Sequence, residues 1–401
     1  MAIAVAQKTG GQPFALWSLA FRPFFLAAAL WAALALALWM VVFSTGAALP
    51  TRFDPLTWHI HAMLFGFVLA AVAGFMLTAI PNWTGRPPIR GPALASLLAL
   101  WLVGRIACLV SAFLPLWLAA GLDLLFPAVL CAVAAREIVA ARNWRNLMMP
   151  LPIGVLAIAN LLMYLELAQF NVPAGLGWRL AIAAIIALVS AIGGRIIPAF
   201  TRNWLVKRQI SPLPAAHGRI DSAALATLHT GLLGWAFFPD SRLVGAMLLF
   251  GSALHLWRLA RWRGTATLRE PLLAILHVGY AWVAIGAGLL GGSRLTATIP
   301  EPAAIHALTA GAIGTMVLAV MTRVVRGHTG RPLEADQVTS LIYATVTLAA
   351  VTRFAAAFAD TSSMALLGIS ALLWVTSFLL FVWKYWPMLA FPRNDENRPP
   401  G

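Results

Sequence analysis

The chain has 401 residues, 61% of them hydrophobic and only 10% charged, with 28 basic residues against 13 acidic and a net charge of +15. A soluble domain carries about 25% charged residues, so this composition excludes a soluble globular fold and points to a chain solvated partly by lipid. The basic excess does not signal nucleic acid, because it sits in short loops between apolar runs, where it reports membrane topology.

Apolar runs of spanning length fall near 24–43, 58–80, 92–112, 115–135, 150–168, 179–198, 222–238, 242–260, 271–290, 303–325, 338–358 and 364–386. They predict an all-α integral membrane protein of about twelve transmembrane helices, a single polytopic domain over residues 1–401. The first run has no small-residue cleavage site and reads as a span rather than a signal peptide. Twenty basic residues, among them Arg22, Arg86, Arg136, Arg208, Arg261 and Arg326, fall on one side of the membrane; Arg52, Arg179, Arg242 and Arg294 fall on the other. This asymmetry places both termini in the cytoplasm. Cys108 and Cys131 are the only cysteines, too few for a disulfide framework.

The second run recurs. Ile60-His61-Ala62 through Thr84-Gly85-Arg86-Pro87 matches Ile305-His306-Ala307 through Thr329-Gly330-Arg331-Pro332 without gaps, ten of 28 positions being identical. A fainter copy carries Trp178 at the histidine position, which gives repeat-like segments around 58–91, 175–204 and 303–336. Three copies spaced four helices apart predict a pseudo-threefold assembly of four-helix units; parallel repeats of this kind occur in membrane folds.

Ionisable residues within spans are functional candidates by default. His59, His61 and His306 fall near the outer ends of their runs, whereas His229, His255 and His277 lie in the middle or inner part of theirs. Neutral imidazole ligates haem iron and copper. His61 and His306 are repeat-equivalent, so on helices facing a common axis they would lie at equal depth and clamp one haem b. Gly66 and Gly311, five residues on, would leave room for a macrocycle or for close helix packing. His59, about 200° from His61 around the helix, would be left for copper, with His229 or His277 as partners. Without Cys-x-x-Cys-His, such a haem would be held non-covalently. For each histidine the bland reading is a hydrogen-bonded residue at the interface or within the bundle. Arg105 and Arg353 lie deep enough to meet haem propionates. Arg105 and Asp123 flank the turn near Pro115 at matching depth, which predicts an ion pair; Arg353 has no acid at the mirrored place.

Several stretches resemble the NnrS family of bacterial membrane proteins: Phe21-Arg22-Pro23-Phe24-Phe25, Trp58-His59-Ile60-His61-Ala62-Met63, Thr78-Ala79-Ile80-Pro81-Asn82-Trp83-Thr84-Gly85, Leu276-His277-Val278-Gly279-Tyr280, His306-Ala307-Leu308-Thr309-Ala310-Gly311 and Gly327-His328-Thr329-Gly330-Arg331. The resemblance covers nearly the whole chain. It implies a haem- and copper-containing inner-membrane protein linked to denitrification and relief of nitric oxide stress, with nitric oxide as its small-molecule ligand. Ala62 stands where this family commonly has Glu. The residues alone leave open turnover against simple binding of the gas, and leave a transporter of copper, haem or an anion as the rival reading.

Overall fold

A computed structural model describes residues 14–146 and 148–392, so the termini expected in the cytoplasm lie outside the described residues. Within these the chain is helical, without a strand. Twelve helices follow in order: α1 Phe21–Thr45, α2 Pro55–Thr84, α3 Pro92–Leu109, α4 Leu116–Ala140, α5 Leu151–Leu167, α6 Leu176–Lys207, α7 Arg219–Phe237, α8 Arg242–Ala260, α9 Pro271–Leu295, α10 Glu301–His328, α11 Gln337–Ala356 and α12 Ser363–Ala390. Ten are long and apolar enough to cross a membrane. Of the other two, α5 has 17 residues, and α7 carries Arg219, Asp221, Ser222 and His229.

The helices divide into an inner set and an outer shell. In α2 83% of the most apolar stretch is buried, in α9 and α10 67% and in α6 56%, against 33–39% in the other six apolar spans. The three repeat-bearing helices α2, α6 and α10 are thus all in the inner set. Small residues make this possible by letting neighbours approach closely. A side chain at Gly66 would collide with the Trp31 indole, and one at Gly311 would lie 2.6 Å from the ring of Trp282. These two glycines therefore serve helix packing, not a macrocycle.

α2 and α10 share a second feature. Asp54 caps α2 by accepting hydrogen bonds from the backbone of Leu56 and Thr57. After His61 the helix widens into a π-helical stretch, Ala62–Val68, before resuming as Leu69–Thr84. In α10 the corresponding stretch is Ala307–Gly314, again opening one residue after the repeat-aligned histidine. α6 has no such stretch. Tryptophans engage the distorted turns of α2: Trp31 donates to the Ala62 carbonyl at 2.9 Å and Trp101 to that of Gly66 at 3.0 Å. Both repeat copies also end on a glycine with positive φ, Gly85 at 68° and Gly330 at 65°, a conformation that favours glycine.

The first and last helices are stitched together. Arg22 donates through Nη1 to the carbonyls of Met388, Leu389 and Phe391 at 2.9–3.3 Å. Ala15 N–H bonds Ala390 at 2.8 Å, and Trp374 Nε1 bonds Ala32 at 3.1 Å.

Candidate functional site

A cavity of about 500 Å³ opens where α1, α2, α6, α10, α11 and α12 meet. Its wall is mainly apolar, including Leu36, Trp39, Phe67, Trp178, Ile182, Ile313 and Trp374. Three ionisable side chains enter it: His59 from α2, His306 from α10 and Arg353 from α11. The wall hydroxyls of Thr309 and Ser370 are already used, donating to the carbonyls of Ile305 and Ala349 at 2.9 and 2.8 Å. A few polar groups in an apolar concavity of this size are what small-molecule sites share.

The two imidazoles are held differently. His306 Nδ1 is 2.8 Å from the Pro302 carbonyl one turn earlier. A carbonyl only accepts, so Nδ1 carries the proton and Nε2 of the neutral ring keeps its lone pair. His59 stacks on Trp39, with ring centroids 4.9 Å apart and planes at 19°, while its buried Nδ1 has no hydrogen-bond partner. Arg353 lies close enough to act electrostatically on both rings. Among the described residues it has no acidic partner.

His61 lies elsewhere. It is fully buried, with Nε2 at 2.8 Å from both Asp123 Oδ2 and Asn160 Oδ1, and Nδ1 at 3.4 Å from Cys108 Sγ. Asp123 also pairs with Arg105 and accepts from Asn160 Nδ2 at 2.9 Å. The expected Arg105–Asp123 ion pair is therefore present, and Arg105 is committed to it rather than to the cavity. The sequence expectation paired His61 with His306, but the structure brings His59 to His306 instead. The reason is directional. The equivalent histidines do not face one another: His61 turns to Cys108 of α3, Asp123 of α4 and Asn160 of α5, whereas His306 enters the cavity that also holds His59 and Arg353. His59, half a turn from His61, is the one directed across the inner set.

The remaining histidines follow the bland reading. His229 Nε2 meets Ser190 Oγ at 2.8 Å and His277 Nε2 meets Thr201 Oγ1 at 3.0 Å. His255 lies between Tyr280 OH at 2.9 Å and the Ala224 carbonyl at 3.0 Å. The structure does not bring His229 or His277 to His59, so the copper set drawn from these three is not assembled. Among the described residues no group of three or more His, Cys, Asp or Glu side chains is arranged to hold a metal ion. Two imidazoles nevertheless fit the donor set that a haem, whose macrocycle already ligates the iron, would ask of the protein. Sequence reasoning missed Trp39, which orients His59, and the Pro302 carbonyl, which orients His306. Neither left a local signal, since each depends on how one helix turn meets another group.

Fold and site together define a polytopic helical membrane protein with a histidine- and arginine-lined cavity inside its bundle. The chain belongs to the NnrS family: the family description, NnrS protein, matches residues 15–393. Comparison with curated proteins returns no match.

Proposed function

We propose that the cavity is a haem b site in a bacterial inner-membrane protein that binds nitric oxide as part of the cell's response to that gas. One observation carries this reading: His59 and His306 meet an acid-free Arg353 in a single apolar cavity. The imidazoles would hold the iron, and Arg353 would pair with a haem carboxylate. An unpaired guanidinium in such surroundings is costly, and an anionic ligand removes that cost. The apolar wall excludes water and suits both a macrocycle and a gas that partitions into lipid. Haem iron, when bound, supplies the electron-rich centre to which a diatomic gas attaches. The family association also suggests copper; this cavity offers that metal no third histidine, cysteine or carboxylate among the described residues.

The test is the absorption spectrum of the purified protein before and after nitric oxide. A haem band that shifts with the gas is expected, and its loss in the His59→Ala, His306→Ala double variant ties it to this cavity. A wild-type protein that folds and purifies without haem, and takes none up when supplied, overturns the reading. The basic residue in the cavity would then favour the rival, an anion pathway.

A further inference from the structure

The two histidines of the cavity are not equivalent, and their difference assigns them different tasks. This step rests on the haem reading above and concerns only the chain's own residues.

A metal-ligating histidine ordinarily donates its second ring N–H to a carbonyl or carboxylate, which fixes the tautomer and makes the ligating nitrogen more basic. His306 has this support, 2.8 Å from Pro302 O. The carbonyl belongs to the first turn of the same helix, Glu301–His306, so the ring is oriented before anything binds. His59 lacks it. Its Nδ1 is buried and unpartnered, and no hydrogen bond selects which nitrogen holds the proton. Its orientation comes from the face of Trp39, a contact that a ring can slide along. A buried nitrogen without a partner also carries a desolvation cost, which a movement toward a polar group would relieve.

We infer that His306 is the permanent axial ligand and His59 the exchangeable one, so that the coordination position open to a small gas lies on the His59 side of the cavity. The setting of that side agrees. Beyond His59 the wall is formed by Trp39 and Phe43 of α1 and Leu56 of α2; Phe43 is 46% and Leu56 56% exposed on the outer surface of the bundle. These exposed apolar side chains give that part of the wall a face that lipid can cover.

Full-length protein is purified with haem, and His59→Ala and His306→Ala are compared with it at matched size-exclusion profiles. Haem content and the optical and electron paramagnetic resonance spectra are recorded. In His306→Ala haem content is expected to fall at least about tenfold. In His59→Ala haem is expected to stay, with the spectrum moving from six- to five-coordinate and returning when imidazole is added. His306→Gly purified in imidazole should regain haem, which a misfolded chain cannot do. Equal haem loss in both variants, or the reverse pattern, overturns the assignment of tasks while leaving the haem site in place. An unchanged haem content and spectrum in both variants overturns the haem site itself.

Discussion

Among the places where the described residues bring histidine near arginine, two resolve the cost of buried charge in opposite ways. At the α2–α5 site every main partner is internal: Arg105 meets Asp123, Asp123 also meets His61 and Asn160, and Cys108 closes the far side of the ring. At the cavity, Arg353 has no acid and the Nε2 lone pair of His306 has no partner among the described residues. The first arrangement pairs its charges internally, although Arg105 Nε and Nη1 and Tyr164 OH are left without a hydrogen-bond partner, whereas the second has no acid for its guanidinium among the described residues. A buried charge paired with an opposite charge adds to stability, and one left unpaired is costly.

The contrast is broken most directly by removing Asp123. Asp123→Ala strands Arg105 in the bundle interior and should cost about 3–5 kcal/mol of stability, the typical penalty for breaking a buried pair; a thermal unfolding midpoint close to wild type would mean the α2–α5 site is not the internal lock described. Applying one substitution to both arginines sharpens the comparison. Arg105→Leu should destabilise on a similar scale. Arg353→Leu should leave unfolding unchanged or raise its midpoint while weakening haem retention, measured as haem lost to apomyoglobin. Equal destabilisation by the two would erase the distinction.

A smaller effect is expected where the π-helical stretches pack. Gly66→Ala drives a methyl group into Trp31 and should cost about 1–3 kcal/mol, as overpacking does, without loss of the Arg105–Asp123 pair. Recovery of stability in Gly66→Ala combined with Trp31→Phe would confirm the steric cause.

The smallest expected effect lies outside the membrane. Asp336 caps α11 by accepting from Thr339 N–H at 2.9 Å and pairs with Arg326 at 2.6 Å and Lys384 at 2.8 Å. Burial alone would raise its carboxyl; the hydrogen bonds from Lys384 and Thr339 and the charge of Arg326 outweigh that and hold it below the usual carboxylate range. A depressed folded-state value contributes stability above the unfolded value of about 3.9 and loses it as pH falls through the folded one. Unfolding midpoints between pH 6 and pH 3 should therefore drop less in Asp336→Asn than in wild type.

Much of the fold could be read from the chain, because hydropathy runs follow directly from bilayer thickness. All twelve expected runs coincide with helices, ten of them long and apolar enough to cross a membrane, and the Arg105–Asp123 pair followed from equal distances to a shared turn. The ionisable residues that line the cavity were legible in the chain, but which of them meet there was not. His59, His306 and Arg353 each stood out as ionisable groups in apolar helices. Choosing His59 over His61 required knowing which face of α2 looks across the inner set. Periodicity could separate the two faces but not say where either pointed. The π-helical stretches left no local trace either, since Ala62–Val68 has the composition of an ordinary apolar helix.

The clasp between Arg22 and the carbonyls of α12 bears on how the protein is made. The ribosome delivers α1 first and α12 last, so Arg22 enters the membrane region long before Met388, Leu389 and Phe391 exist to receive its guanidinium. The contact between the first helix and the last can therefore form only once the final helix has been made.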